Sequence, residues 1–195
     1  MQADIQTVDY TLFHLINALA GHFDGADDTL EMIARFGPFV LVGLLAIVWF
    51  WPGRSSERDD RQWACLSAAI SAALALGINQ IIIRLYERPR PFAAHHVVLL
   101  LKPSADPSFP SDHATFAFAV AVSIFVASRR LGWWALAAAT VLSLSRVYVG
   151  EHYLGDVVAG GLIGSAVAFG VFQLRPVLSP VIAHPMRLAR RLHLA

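Results

Sequence analysis

Charge and cysteine are both scarce in this chain of 195 residues. Only 15% of its residues are Asp, Glu, Lys or Arg, and the formal net charge is +1. So even a balance creates no strong field for nucleic acid, and no nucleic-acid partner is expected. The one cysteine, Cys65, excludes an internal disulfide. It lies in an apolar run and reads as a small buried hydrophobe. The first nine residues hold Asp4 and Asp9 but neither Lys nor Arg, unlike the basic start of a cleaved signal peptide. Targeting is therefore expected through the apolar segments themselves. Internal repeats and low-complexity segments are also lacking.

What is present is apolar sequence. The chain is 56% hydrophobic, with mean hydropathy +0.56. Uncharged stretches cover 36–53, 63–83, 114–128, 131–145 and 157–174. A spanning helix needs about 20 residues. The first, second and last stretches reach that length unaided. The third and fourth reach it only if their ends include neighbouring polar residues, which would place those residues at membrane edges. The expected fold is an all-α integral membrane bundle, one domain over 1–195, with five spans. The segment 7–20 reads as a peripheral amphipathic helix, or alternatively as part of a sixth span. Residues 24–35 read as an acidic extension of the first span. Gly160 and Gly164 have the small-xxx-small spacing of close helix packing, within the bundle or between copies.

Arginine-rich connections set the orientation. Arg54, Arg58 and Arg61, then Arg129 and Arg130, then Arg175, Arg187, Arg190 and Arg191 all fall on one side of a five-span chain. That side should be cytoplasmic, with 176–195 as a basic tail. Trp49, Trp51, Trp63, Trp133 and Trp134 would form an aromatic belt there. The loops after the second and fourth spans would face the periplasm or exterior. Their arginines oppose the orientation rule, which points to chemistry.

Three polar clusters lie in or beside those loops. The first is Glu87-Arg88-Pro89-Arg90-Pro91-Phe92, where two prolines stiffen the backbone and alternation points Arg88 and Arg90 in different directions. The less favoured reading of this cluster, taken alone, is a basic loop touching headgroups. The second is Pro110-Ser111-Asp112-His113. Pro110 ends the loop, and Ser111 or Asp112 suits a helix N-cap whose free N–H groups attract an anion. His113 could then donate a proton beside that anion. Alone, this cluster reads as an ordinary cap. The third is Ser145-Arg146, then His152 and Asp156. His152 and Asp156 are one helical turn apart, so the carboxylate could accept one imidazole N–H and leave the other nitrogen as a nucleophile. Arg146 could aim at phosphate oxygens. Alone, the His–Asp pair could merely staple two helices. A carrier would instead hold its charges near helix centres.

Together these clusters resemble the type 2 phosphatidic acid phosphatase superfamily. Its pattern is Lys-x6-Arg-Pro, then Pro-Ser-Gly-His, then Ser-Arg-x5-His-x3-Asp. The third motif matches through Ser145, Arg146, His152 and Asp156. The second carries Asp112 in place of Gly. The first matches at Arg90-Pro91, but its Lys position falls on Ile83, and Arg84 is either a substitute or no ligand. The Glu-Arg-Pro-Arg-Pro-Phe and Ser-Phe-Pro-Ser-Asp-His-Ala-Thr stretches are similar to the bacitracin-resistance type of undecaprenyl-diphosphate phosphatase. That resemblance implies metal-free phosphoryl transfer on a polyprenyl diphosphate in a bacterial plasma membrane. No cofactor is expected. Adjacent His95 and His96 lack ligands at metal-site spacing. The implied roles are His152 as nucleophile, Asp156 as its partner and His113 as general acid and base. Arg90, Arg146, Ser111 and the helix-start N–H groups would hold phosphate, with Arg84, Arg88, Asp112 and Pro110 around them. A broader lipid phosphatase is the alternative. The apolar run 93–101 either touches lipid or packs on the bundle.

Overall fold

A backbone crossing lipid must satisfy its own polar groups, so charge-free runs fold as helices. The computed structural model describes residues 2–52 and 55–181. Its elements are α1 (Gln2–Asn17), α2 (Asp24–Phe50), α3 (Ser55–Leu85), the single turn α4 (Pro91–Ala94), α5 (Asp112–Ala127), α6 (Arg129–Tyr148) and α7 (Leu154–Gln173). Residues 175–181 are again helical. Helices α2 and α7, and α3 from Arg58 onward, are long and apolar enough to cross a membrane. The shorter α5 is apolar, and α6 has 20 residues, or about 30 Å. Helices α5 and α6 do extend into the second and third clusters, as the short apolar runs required.

Helix α5 is the core of the bundle. It packs most extensively on α7, then on α6 and α3. Glycines allow the closest approach: a Cβ on Gly164 would lie 2.2 Å from the Thr115 carbonyl oxygen, and one on Gly160 would lie 2.5 Å from that of Ser111. The small-residue stripe therefore packs inside the bundle. Leu41, Ala68, Ala117, Val120, Ala121, Ile124, Ala135, Ala139 and Leu142 fill the main core. Cys65 is buried, its thiol facing the Leu45 carbonyl at 3.3 Å.

The N-terminal helix starts at Gln2, earlier than the 7–20 segment, and ends at Asn17. Fully buried Phe13 packs it beside Tyr153 and Val157. Asn17 clamps the loop after α4: its amide donates to the Val98 and Tyr148 carbonyls at 2.8 Å and accepts from Val98 N–H at 3.0 Å. The run 93–101 thus packs on the bundle.

The opposite end gathers the basic connections. Arg175 donates to Asp60 at 2.5 Å and stacks over Trp63, while Arg129 stacks over Phe125. Trp51, Trp133 and Trp134 are exposed there, but Trp63 is buried against Phe172 and belongs to the core rather than to a belt. Arg54 and the tail from 182 onward, with Arg187, Arg190 and Arg191, lie outside the described residues.

Candidate active site

At the other end, the three clusters converge on one cavity of about 520 Å³. Arg90, Arg146, Glu151 and His152 line it and are buried, so they form its floor. Pro110, Asp112 and His113 bring the start of α5 into the wall. Arg35, Gln80, Lys102 and Asp106 line the exposed rim.

His152 sits on the α6–α7 connection, just before the α7 N-cap Tyr153. The chain turns there through Gly150 at φ +86°, where a Cβ would lie 2.5 Å from the Val98 carbonyl oxygen. A non-glycine residue would meet both backbone strain and that carbonyl. His152 Nδ1 donates to the Ser108 carbonyl oxygen at 2.9 Å. Nε2 therefore keeps its lone pair, and it lies 3.5 Å from Arg90 Nη1. Burial pushes the imidazole pKa down, and nearby Asp156 does not reverse this. The ring is neutral at neutral pH, as a nucleophile requires.

Asp156 corrects the expected geometry. Its Oδ2 lies 3.7 Å from His152 Nδ1, beyond hydrogen-bond range. The carboxylate instead accepts from Ser108 Oγ at 2.5 Å, Tyr153 N–H at 2.9 Å and Arg88 Nη1 at 2.6 Å. Asp156 thus acts on the imidazole through Ser108, whose carbonyl takes the Nδ1 proton. The physical reason is that His152 precedes the helix, so the pair does not have helical i,i+4 geometry.

Arg88 is a second correction. It does not line the main cavity but bridges Asp156 and Asp9, the latter at 2.8 Å, and lies 3.9 Å over the Tyr153 ring. Burial opposes its charge, but the Asp156 and Asp9 carboxylates outweigh that and hold its pKa above the ordinary value. Asp9 also accepts from Gly155 N–H at 2.7 Å, which ties α1 to α7. Arg88 and Asp9 therefore hold Asp156 and the start of α7, away from the main cavity.

Arg90 and Arg146 are the floor cations. Arg90 donates through Nε to the Asp106 carbonyl at 2.7 Å and through Nη1 to the Glu151 carboxylate. Arg146 donates to the Ala34 carbonyl at 3.2 Å and lies 3.5 Å from the same carboxylate. Its Nε is buried without a partner. Two arginines sharing one carboxylate leave a net positive floor, suited to an anion.

Ser111 caps α5, as anticipated, but is enclosed: its hydroxyl accepts from Ala114 N–H at 3.5 Å, and it does not line the cavity. Its N–H donates to the Asp156 carbonyl, tying the second motif to the third. Asp112 reaches the wall and accepts from Asn79 at 2.7 Å. Ile83, at the Lys position of the first motif, does line the cavity. Arg84 is exposed and lies off it, so it does not replace the lysine. One residue along a helix turns a side chain by about 100°, which is why the neighbour cannot substitute. His95 stacks on Tyr10 with centroids 4.0 Å apart. Among the described residues, no three His, Cys, Asp or Glu are grouped to hold a metal.

Glu151, Ser108, Asp9 and Asn79 were missed by sequence reasoning. Only Glu151 left a usable signal, an acid directly beside His152 in a weakly charged chain.

The membrane bundle, with paired arginines and a neutral histidine facing one cavity, has the build of a lipid phosphate phosphatase. The PAP2 superfamily profile matches residues 63–179, and the chain belongs to that superfamily. Among its relatives, undecaprenyl-diphosphatase BcrC of Bacillus subtilis is 30% identical over 90% of this chain and 88% of its own. The putative undecaprenyl-diphosphatase YbjG of Escherichia coli is 32% identical over 87% of this chain and 85% of its own. The fold also matches the crystal structure of Aquifex aeolicus LpxE, with TM-score 0.65 and 23% identity over 85% of this chain and 95% of that one. A PAP2-type phosphatidylglycerolphosphate phosphatase from Bacillus subtilis gives TM-score 0.66 and 20% identity over 90% and 88% of the two chains. The protein is a multi-pass membrane lipid phosphate phosphatase.

Proposed function

We propose that the protein hydrolyses undecaprenyl diphosphate to undecaprenyl phosphate and phosphate at the outer face of a bacterial plasma membrane, recycling the carrier for cell-wall synthesis. One domain would carry the activity, with α1 at the membrane surface. The observation that carries the reading is His152, its Nδ1 engaged by the Ser108 carbonyl and its Nε2 beside Arg90, in a cavity that His113 also lines. Relatives named as undecaprenyl-diphosphatases align over most of the chain.

The terminal phosphate rests on Arg90, Arg146 and the N–H groups that open α5. His152 Nε2 attacks its phosphorus. The bond to the bridging oxygen breaks, and that oxygen leaves on the lipid phosphate with the electron pair and a proton from His113. Water then attacks the phosphohistidine and gives its proton to His113. The P–N bond breaks, phosphate leaves and His152 is again neutral. The two histidines need opposite protonation states, so the pH–rate profile is bell-shaped.

The test is phosphate release by detergent-purified protein with EDTA present. Undecaprenyl diphosphate would be compared with phosphatidic acid and phosphatidylglycerophosphate. Release from the diphosphate, lost in His152→Ala, supports the reading. Equal release from all three would overturn the substrate assignment.

A further inference from the structure

We propose that Arg35 and Lys102 form a second phosphate subsite at the cavity rim, which takes the lipid-side phosphate of a diphosphate. The inference rests on the lipid-diphosphate reading and deepens it.

Lys102 is the only lysine among the chain's 15 Lys and Arg residues. It stands in a loop lining the catalytic cavity, while the family's motif lysine position holds apolar Ile83, which lines the same cavity. Arg35 reaches that cavity from α2. Their placement is fixed by packing. Leu101 and Ala34, the residues before them, join one apolar cluster with Tyr148 and Val149. Lys102 and Arg35 therefore emerge on one flank, beside Arg146, which is anchored on the Ala34 carbonyl. Arg35 has only a loose contact with Glu31, at 3.6 Å, and no described ion pair engages Lys102. Two cations at the rim of one cavity repel each other, and an anion between them relieves that repulsion.

The cavity lining also carries the carboxylates Asp106 and Asp112, and each has a polar partner other than Arg35 and Lys102. Asp112 accepts from Asn79 at 2.7 Å, and Asp106, in the same loop as Lys102, accepts from Ser104 at 3.3 Å, while its backbone carbonyl holds Arg90. The floor explains the need for more positive charge. Glu151 offsets one of the two floor arginines, leaving little to balance a second phosphate. As the anhydride breaks, charge accumulates on the lipid-side phosphate, so rim cations there assist diphosphates selectively.

The single lysine permits a direct test in the full-length protein. Lys102 would be acylated with an amine-reactive ester and its modification read by peptide mass spectrometry. Methylene diphosphonate should protect Lys102, and orthophosphate at the same concentration should not. In Lys102→Ala and Arg35→Ala, inhibition by methylene diphosphonate should weaken about tenfold, the loss of one charge-assisted contact. Inhibition by orthophosphate should stay within about twofold, which also shows that the floor is intact. Equal protection by both anions, protection by neither, or equal weakening of both would overturn the subsite. Cleavage of lipid monophosphates as fast as diphosphates by the unaltered protein would instead overturn the substrate assignment, and the Lys102 protection would still be read separately.

Discussion

Arginines crowd both ends of this bundle, yet the two ends use them differently. At the catalytic end, Arg90 and Arg146 are buried, each anchored by a backbone carbonyl and a shared carboxylate. At the opposite end, Arg129 and Arg175 lie over aromatic rings, and the Arg175–Asp60 pair is 42% and 55% exposed. The same residue type is an oriented electrostatic tool in one place and an interfacial anchor in the other. Burial and the number of fixed partners make the difference, because water screens the exposed pair and not the enclosed one.

The contrast can be broken most strongly at the floor. Arg146→Ala should lower kcat by about 10²–10³-fold, as expected for removing one preorganised group from a transition-state anion site. Steady-state kinetics on folded, detergent-purified protein checks this, and a loss under tenfold would contradict it. Arg88→Ala should act next, through stability as well as rate. It strips a buried carboxylate of its cation, a change that costs about 3–5 kcal/mol. The milder Asp9→Asn should cost about tenfold in kcat with KM little changed, since it alters support rather than contact. A pure KM effect would move Arg88 and Asp9 into substrate binding.

Glu151→Gln sharpens the comparison from the other direction. Removing the shared negative charge should tighten product inhibition by orthophosphate about tenfold, because both floor arginines then face the anion unopposed. Unchanged or weaker inhibition would mean that the carboxylate matters only for holding the arginines in place. The smallest effects belong to the exposed cations. Arg175→Ala and Arg84→Ala should each leave activity within about twofold and stability within about 1 kcal/mol, by activity assay and thermal unfolding.

His152 connects burial to pH. Its pKa is lowered by burial, so the folded state resists protonation. Stability from this group is complete above the ordinary imidazole value of about 6.5 and is lost as pH falls below it toward the lowered value. The acid limb of kcat/KM should likewise lie below about 6.5, and a limb above that would contradict a neutral, buried nucleophile.

Much of this was legible in the sequence. The apolar runs marked the three helices long and apolar enough to cross a membrane and the shorter α5, and motif spacing picked out Arg90, His113, Arg146 and His152, which line one cavity. Gly160 and Gly164 were readable as a packing stripe because only a missing side chain lets α5 and α7 meet so closely. What stayed hidden depends on long-range folding. Asp9 and Arg88 meet across 79 positions, and Ser108 reaches Asp156 across 48. Helical spacing suggested a direct His152–Asp156 bond, but the helix begins after His152, and the contact runs through Ser108 instead. Trp63 had the composition of a belt residue, yet packing against Phe172 draws it inside. Local pattern reports which residues share a face; it does not report which loop later covers that face.

The most direct test of the mechanism is a rapid quench with substrate labelled at its terminal phosphate, followed by mapping of acid-labile phosphate on the protein. The expected result is a transient phosphohistidine at His152, absent in His152→Ala and longer-lived in His113→Ala. Turnover without any labelled protein, or label on a residue other than His152, would contradict the assignment.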